Sequence, residues 1–222
     1  MPAVGAADCS ARSALRAATE AAHLRLHAIP DFEALAEGRI TRAGYVALLR
    51  RLLGFHVALE ARLAEAPPLD RFGLDVAARR RAPLLRADLA WFGAAAEGPM
   101  APLPCYATAA AALGALYVAE GSTLGGRHLA RGLDALLLPG PEGRRFLMGH
   151  GARHGEMWRA CCAAIELCGA EPGARAAMIR AALETFAAFE AWFASPSPAS
   201  AGQGRCGGFH PIAPSGSTPL PP

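Results

Sequence analysis

Tyr45, Leu48, Leu49, Leu52, Phe55, Leu59 and Leu63 recur every three or four positions, the spacing that lines up one face of an α-helix. The same period returns in Leu15, Thr19, Ala22, Leu26 and Ile29, and again in Met178, Leu183, Phe186 and Phe189 or Trp192. A chain patterned this way cannot lay its apolar residues on one face of a strand, where side chains repeat every second residue. No segment alternates in that manner and no internal repeat is visible, so the expected fold class is all-α, a single helical domain. Abundant Ala and Leu and few aromatics favour the same choice.

The expected helices run over 10–29, from Thr41 as N-cap to Pro67 and Pro68, over 74–80, over 83–96 with Leu84, Leu85, Leu89 and Trp91 as apolar members, and over 106–138. A further one begins near 142, is uneven through Gly149, Gly151 and Gly155, and firms up over 157–167; the last spans 173–193. Pro30 and Asp31 interrupt the first pattern. Residues 1–9 form an N-terminal extension and 10–194 the domain. From Ser195 to Pro222, 17 of 28 residues are Pro, Gly or Ser, a composition expected to be disordered.

No apolar run reaches the ~20 residues needed to cross a bilayer, and "MPAVGAADCSAR" lacks the build of a secretory signal, so a cytoplasmic chain outside the membrane is expected. Six cysteines with no CxxC spacing are expected to be reduced and mostly buried. The net charge of +3 is too small for a dedicated nucleic-acid protein; all 22 basic residues are arginine, which suits bidentate recognition of carboxylates.

One stretch breaks the helical economy. "VAEGSTLGGRHLA" at 118–130 carries Gly121, Gly125 and Gly126 inside a long helix, and three interior glycines together sacrifice on the order of 3 kcal/mol relative to alanine. Glycines one turn apart clear a helix face for a close neighbour. That neighbour is either a second helix in a small-xxx-small contact or a flat ligand. A flat ligand with a metal at its centre would call for a complementary group elsewhere, and His23, at the edge of the first apolar stripe, is the candidate.

Three segments, "LRAATEAAHLRLHAI" at 15–29, "LYVAEGSTLGGRHLARGL" at 116–133 and "GHGARHGEMWRA" at 149–160, resemble in order and separation the haem oxygenases, especially their bacterial biliverdin-producing members. The resemblance spans about 12–193. It implies a fold that sandwiches haem between a proximal helix and a kinked distal helix, with His23 matching the iron ligand. Gly121, Gly125 and Gly126 match the distal glycines against the haem face, Arg16 and Arg159 match positions that hold the propionates, and Tyr117 lies near the pocket tyrosine. Haem is then cofactor and substrate, opened by O2 and reductant to biliverdin, carbon monoxide and ferrous iron. The implied partners are an electron donor such as a ferredoxin or a reductase, and a phytochrome receiving biliverdin.

Ser122 departs from the family pattern: many members carry aspartate there, organising the water that protonates bound oxygen. A hydroxyl can hold a water but brings no negative charge. This leaves a non-catalytic haem carrier or sensor as the alternative, and beyond it a helical protein of the same fold that takes another ligand. The other histidines read more plainly. His27, four residues after His23, is expected at a solvent edge, with an i, i+4 metal pair as the other reading. His56 is expected to border the core, and His128 to point either toward the haem edge or outward. His150 and His154 share a face near Arg159, and His210 lies in the tail.

Overall fold

Ser10 opens the first helix by accepting a hydrogen bond from the Ser13 backbone N–H at 3.2 Å, an N-cap that satisfies one of the orphan donors of the first turn. In the computed structural model, which describes residues 10–195, that helix is α1 (Ala11–His27). It is followed by α2 (Pro30–Ala36), α3 (Arg42–Glu65), α4 (Ala82–Trp91), α5 (Ala109–Arg131), α6 (Arg145–Met148), α7 (His154–Gly169) and α8 (Ala174–Ala194). Short 3-10 turns at Asp70–Phe72, Ala77–Arg79 and Gly151–Arg153 link them. No strand occurs among the described residues, so the fold is all-α and the domain single. The expected extension and the tail beyond Ser195 lie outside the described residues.

Thr41 caps α3 as expected, its hydroxyl accepting from Gly44 N at 3.0 Å, and α8 falls within one residue of its expected span. Four expectations are corrected. Pro30 does not merely interrupt: it sits at the first position of α2, where its missing N–H is an orphan in any case. The helix expected over 74–80 is only a 3-10 turn, and α5 stops at Arg131 in turns rather than continuing to 138. Leu183, expected to face inward, is exposed by 39%, and Trp91, an apolar member of its expected helix, by 45%. Trp91 lies at the last turn of α4 under the Arg42 guanidinium, and α8 buries Ala181, Ala182 and Phe193 instead of Leu183.

Two apolar clusters make the interior. One joins α1, α5, α7 and α8 through residues such as Leu15, Leu113, Ile165 and Met178; the other joins α2, α3, α4 and α6 through Leu35, Leu49, Leu85 and Phe146. Phe189 and Trp192 of α8 pack against both. α8 lies along α5 and also along α1, whereas α1 and α5 make little direct contact. A gap therefore remains between α1 and α5, with α8 beneath it.

Gly114 explains how α5 and α8 come so close. A Cβ there would run into the Met178 carbonyl and lie 3.1 Å from its Cα. The four described cysteines are free thiols; Cys161 and Cys168 are buried, but Cys105 is exposed. No helix among the described residues is long and apolar enough to cross a membrane.

Candidate functional site

The three glycines of α5 divide the two roles between them. A Cβ on Gly126 would strike the Leu147 carbonyl oxygen and lie 3.2 Å from its carbon, so this glycine lets α6 lie against α5. A Cβ on Gly125 would meet nothing within 4 Å, and one on Gly121 only the Trp158 ring at 3.9 Å. These two face open space. Helical hydrogen bonding runs through all three without a break.

That space is a cavity of about 600 Å³, within the range of small-molecule and cofactor sites. α1 lines it with Arg12, Arg16, His23 and His27; α5 lines it with Tyr117, Gly121, Ser122, Gly125 and Gly126. Its remaining surface is mainly apolar, with Phe32, Phe55, Phe186 and Phe189 among its walls. Residues 12, 16, 23 and 27 follow one stripe of α1, since steps of four and seven residues return to the same face. His23 is exposed toward this space, and partial burial, then the neighbouring His27, hold its imidazole below the usual histidine range. A neutral imidazole keeps a lone pair for a metal.

The cavity thus assembles Arg16, His23, Tyr117, Gly121, Ser122, Gly125 and Gly126, and leaves Arg159 outside its lining. Trp158 takes the inward position on α7; the next residue is turned about a quarter of the way round the helix, and Arg159 donates from Nε to the Gly155 carbonyl at 3.2 Å. Arg12, one turn before Arg16, is the second arginine at the cavity. Its i, i+4 spacing from Arg16 was visible in the sequence, but without a fold nothing marked that face of α1.

Arg81 is the larger omission. It is 4% exposed and donates from one terminal nitrogen to Ser122 Oγ at 2.8 Å and to the Ala119 carbonyl at 3.3 Å. From the other it donates to the Phe146 carbonyl at 2.8 Å. Its guanidinium also lies 4.0 Å from the Phe146 ring centroid. Burial lowers its pKa to about 10, against the opposing pull of Glu120 and Glu60, so it remains a cation at neutral pH. Ser122 in turn donates to the Ala119 carbonyl at 2.8 Å. The hydroxyl proton is therefore already committed, and the charge next to residue 122 is positive. No sequence signal joins positions 81 and 122.

The segment before α4 places Arg81. Arg79 forms a buried ion pair with Glu120 at 3.2 Å and donates to the Met157 carbonyl at 3.1 Å. Glu60 of α3 accepts from the backbone N–H groups of Arg81 and Ala82 at 2.6 and 2.7 Å. His56, also on the cavity wall, is buried between Phe55 and Phe146, and burial followed by Arg81 holds its imidazole far below the usual range. His128 points away: it lies outside the lining, its Nδ1 3.0 Å from the Arg131 guanidinium. His150 and His154 each leave Nε2 buried without a partner, also outside the lining.

An all-helical domain that leaves an apolar gap, with an imidazole on one wall and a helix stripped of side chains on another, has the form of a binding site for a planar, metal-centred ligand. The Heme oxygenase family matches residues 10–195, and the chain belongs to that family. Among solved structures, the NO- and CO-bound heme oxygenase from Neisseria meningitidis superposes with a TM-score of 0.68 at 26% identity. The match covers 88% of this chain and 98% of that one. No curated protein matches the chain. The residues present suit haem: the bare faces of Gly121 and Gly125 admit a flat ring, the lining is mainly apolar, and Arg12 and Arg16 share the stripe of α1 that carries His23.

Proposed function

We propose that this chain cleaves haem oxidatively, using O2 and reductant, to biliverdin, carbon monoxide and ferrous iron. The observation that carries the reading is the pairing of His23 with the open, side-chain-free face of Gly121 and Gly125 across one cavity. His23 would hold the iron through a neutral imidazole, which gives little electronic push toward O–O cleavage and leaves the ring's own carbon as the point of attack. Arg12 and Arg16 would take the propionates in charge-assisted hydrogen bonds, fixing the ring in its plane; Arg159 is replaced in that role by Arg12. Gly121 and Gly125 let the α5 backbone approach the ring, and Tyr117 packs beside Trp158 with ring centroids 5.9 Å apart.

The polar function at residue 122 differs from that of an aspartate. Ser122 is held by Arg81, so a fixed cation, rather than a carboxylate, stands beside the glycine face. A preorganised positive charge in a low-dielectric wall would favour negative charge developing at the glycine face of the cavity. Electrons would come from a ferredoxin-like or reductase donor, and the arginines of α1 at the cavity favour an acidic one. Delivery of the biliverdin to a phytochrome, or acquisition of the released iron, would be the matching downstream role.

The test is to mix the full chain with one equivalent of haemin, add a ferredoxin and its reductase in air, and follow the visible spectrum. Loss of the Soret band with growth of a broad red absorption is expected, and His23→Ala should lose the spectrum of a histidine-ligated complex before any turnover. A stable haem complex that never opens would instead make the chain a haem carrier or sensor, and no complex at all would refute haem as its ligand.

A further inference from the structure

His27 has no part in that chemistry, yet it lines the same cavity. It follows His23 by one helical turn, and the two imidazoles stand edge to face with centroids 4.9 Å apart at 76°. Both rings are exposed. Two histidines at i and i+4 on one helix face are the core of a familiar zinc-binding pattern. Imidazole nitrogens sit about 2.0–2.1 Å from a bound first-row ion, which puts the centroids of two rings on one ion about 5 Å apart. The observed separation already meets that requirement, so binding would need ring rotation and no movement of the helix. No cluster of three or more His, Cys, Asp or Glu side chains suited to a metal occurs among the described residues, so water would complete the coordination shell.

We infer that His23 and His27 form a two-imidazole chelate for a divalent first-row cation, and that its physiological occupant is the ferrous iron freed when the haem ring opens. The second half rests on the haem-cleaving reading, the first does not. Iron that loses the four ring nitrogens keeps His23, gains His27, and fills its remaining positions with water; this is ligand exchange, with no electron transferred. A site with only two protein ligands binds weakly enough to pass the ion on, and its place at the cavity wall gives it a path outward.

Cobalt(II) is the probe, being air-stable and next to iron(II) in affinity order for nitrogen sites. Titrated into the untagged, haem-free full chain by calorimetry, it should bind at one equivalent. His27→Ala should weaken that binding at least ten-fold with an unchanged circular dichroism spectrum, and saturating haemin, by occupying His23, should block it. Equal cobalt affinity in the two proteins would overturn the chelate. In a single turnover of bound haemin, capture of Fe2+ by an external chelator should lag behind ring opening, and the lag should shorten several-fold in His27→Ala; the same lag in both would overturn the iron assignment. Haemin that fails to bind the unaltered chain refutes the haem reading alone and leaves the cobalt result standing.

Discussion

Replacing Gly125 and Gly126 one at a time by alanine separates the two uses of glycine on α5. The residues are neighbours in the same helix, so the gain in propensity is alike, about 1 kcal/mol toward stability for each. Their surroundings are not alike. The new methyl at 125 meets nothing within 4 Å, whereas at 126 it runs into the Leu147 carbonyl and lies 3.2 and 3.4 Å from the carbonyl carbon and Cα. Backbone cannot rotate aside as a side chain can. Either α6 retreats by roughly an ångström or the methyl is strained, and overpacking of this kind costs about 1–3 kcal/mol. Gly125→Ala should therefore be stabilised by up to about 1 kcal/mol, and Gly126→Ala should fall about 1–3 kcal/mol below it. For a chain of this size the gap corresponds to roughly 2–12 °C in Tm. Thermal denaturation of the haem-free protein, followed by circular dichroism at 222 nm, measures it. Equal Tm values for the two variants, or the reverse order, would refute the assignment of Gly126 to packing and Gly125 to the cavity.

Further outcomes follow from the same geometry. Gly125→Leu fills the open space that Gly125→Ala only touches, and should reduce haemin affinity at least ten-fold in a Soret titration while the helical spectrum is retained. Arg81→Met leaves Ser122 and the Ala119 and Phe146 carbonyls without their shared donor, and should lower stability by about 2–4 kcal/mol in urea; in haemin turnover it should slow ring opening more than it weakens haem binding. Asp88 is fully buried and accepts from the Arg145 and Phe146 N–H groups at 2.8 and 2.9 Å, with burial the main cause raising its pKa to about 6. Since the folded state holds this proton more tightly than the unfolded one, its contribution is present below about pH 4 and lost as pH rises through 6. Relative to Asp88→Asn, the unaltered chain should lose about 2–3 kcal/mol over that window, measured by denaturant titration at each pH.

The helical period of α1, α3 and α8 was legible because each turns one stripe inward, and a local pattern is enough to reveal that. The Thr41 cap acts within a single turn and was legible for the same reason; the Ser10 cap emerged only with the structure. Pro30 was misread because proline breaks a helix or begins one depending on whether the chain restarts after it, which the surrounding packing decides. The site was half legible. His23, Arg16, Tyr117 and the glycines stand on two helices whose internal spacing the sequence carries, together with a resemblance that links the two helices. Arg12 was hidden by the lack of any mark on its helix face, and Arg159 falls outside the cavity lining because Trp158, one residue earlier on α7, takes the inward position.

By itself the sequence determined the all-α class, the single domain and the fact that glycine on α5 had to serve something other than helix stability, since propensity and periodicity act over neighbouring residues. Only the tertiary structure decided which glycine serves what, and that Ser122 lies under the Arg81 guanidinium. Those outcomes depend on groups 21 to 41 positions apart in the chain, Leu147 with Gly126 and Arg81 with Ser122, and no local pattern encodes a contact made by helices meeting in space.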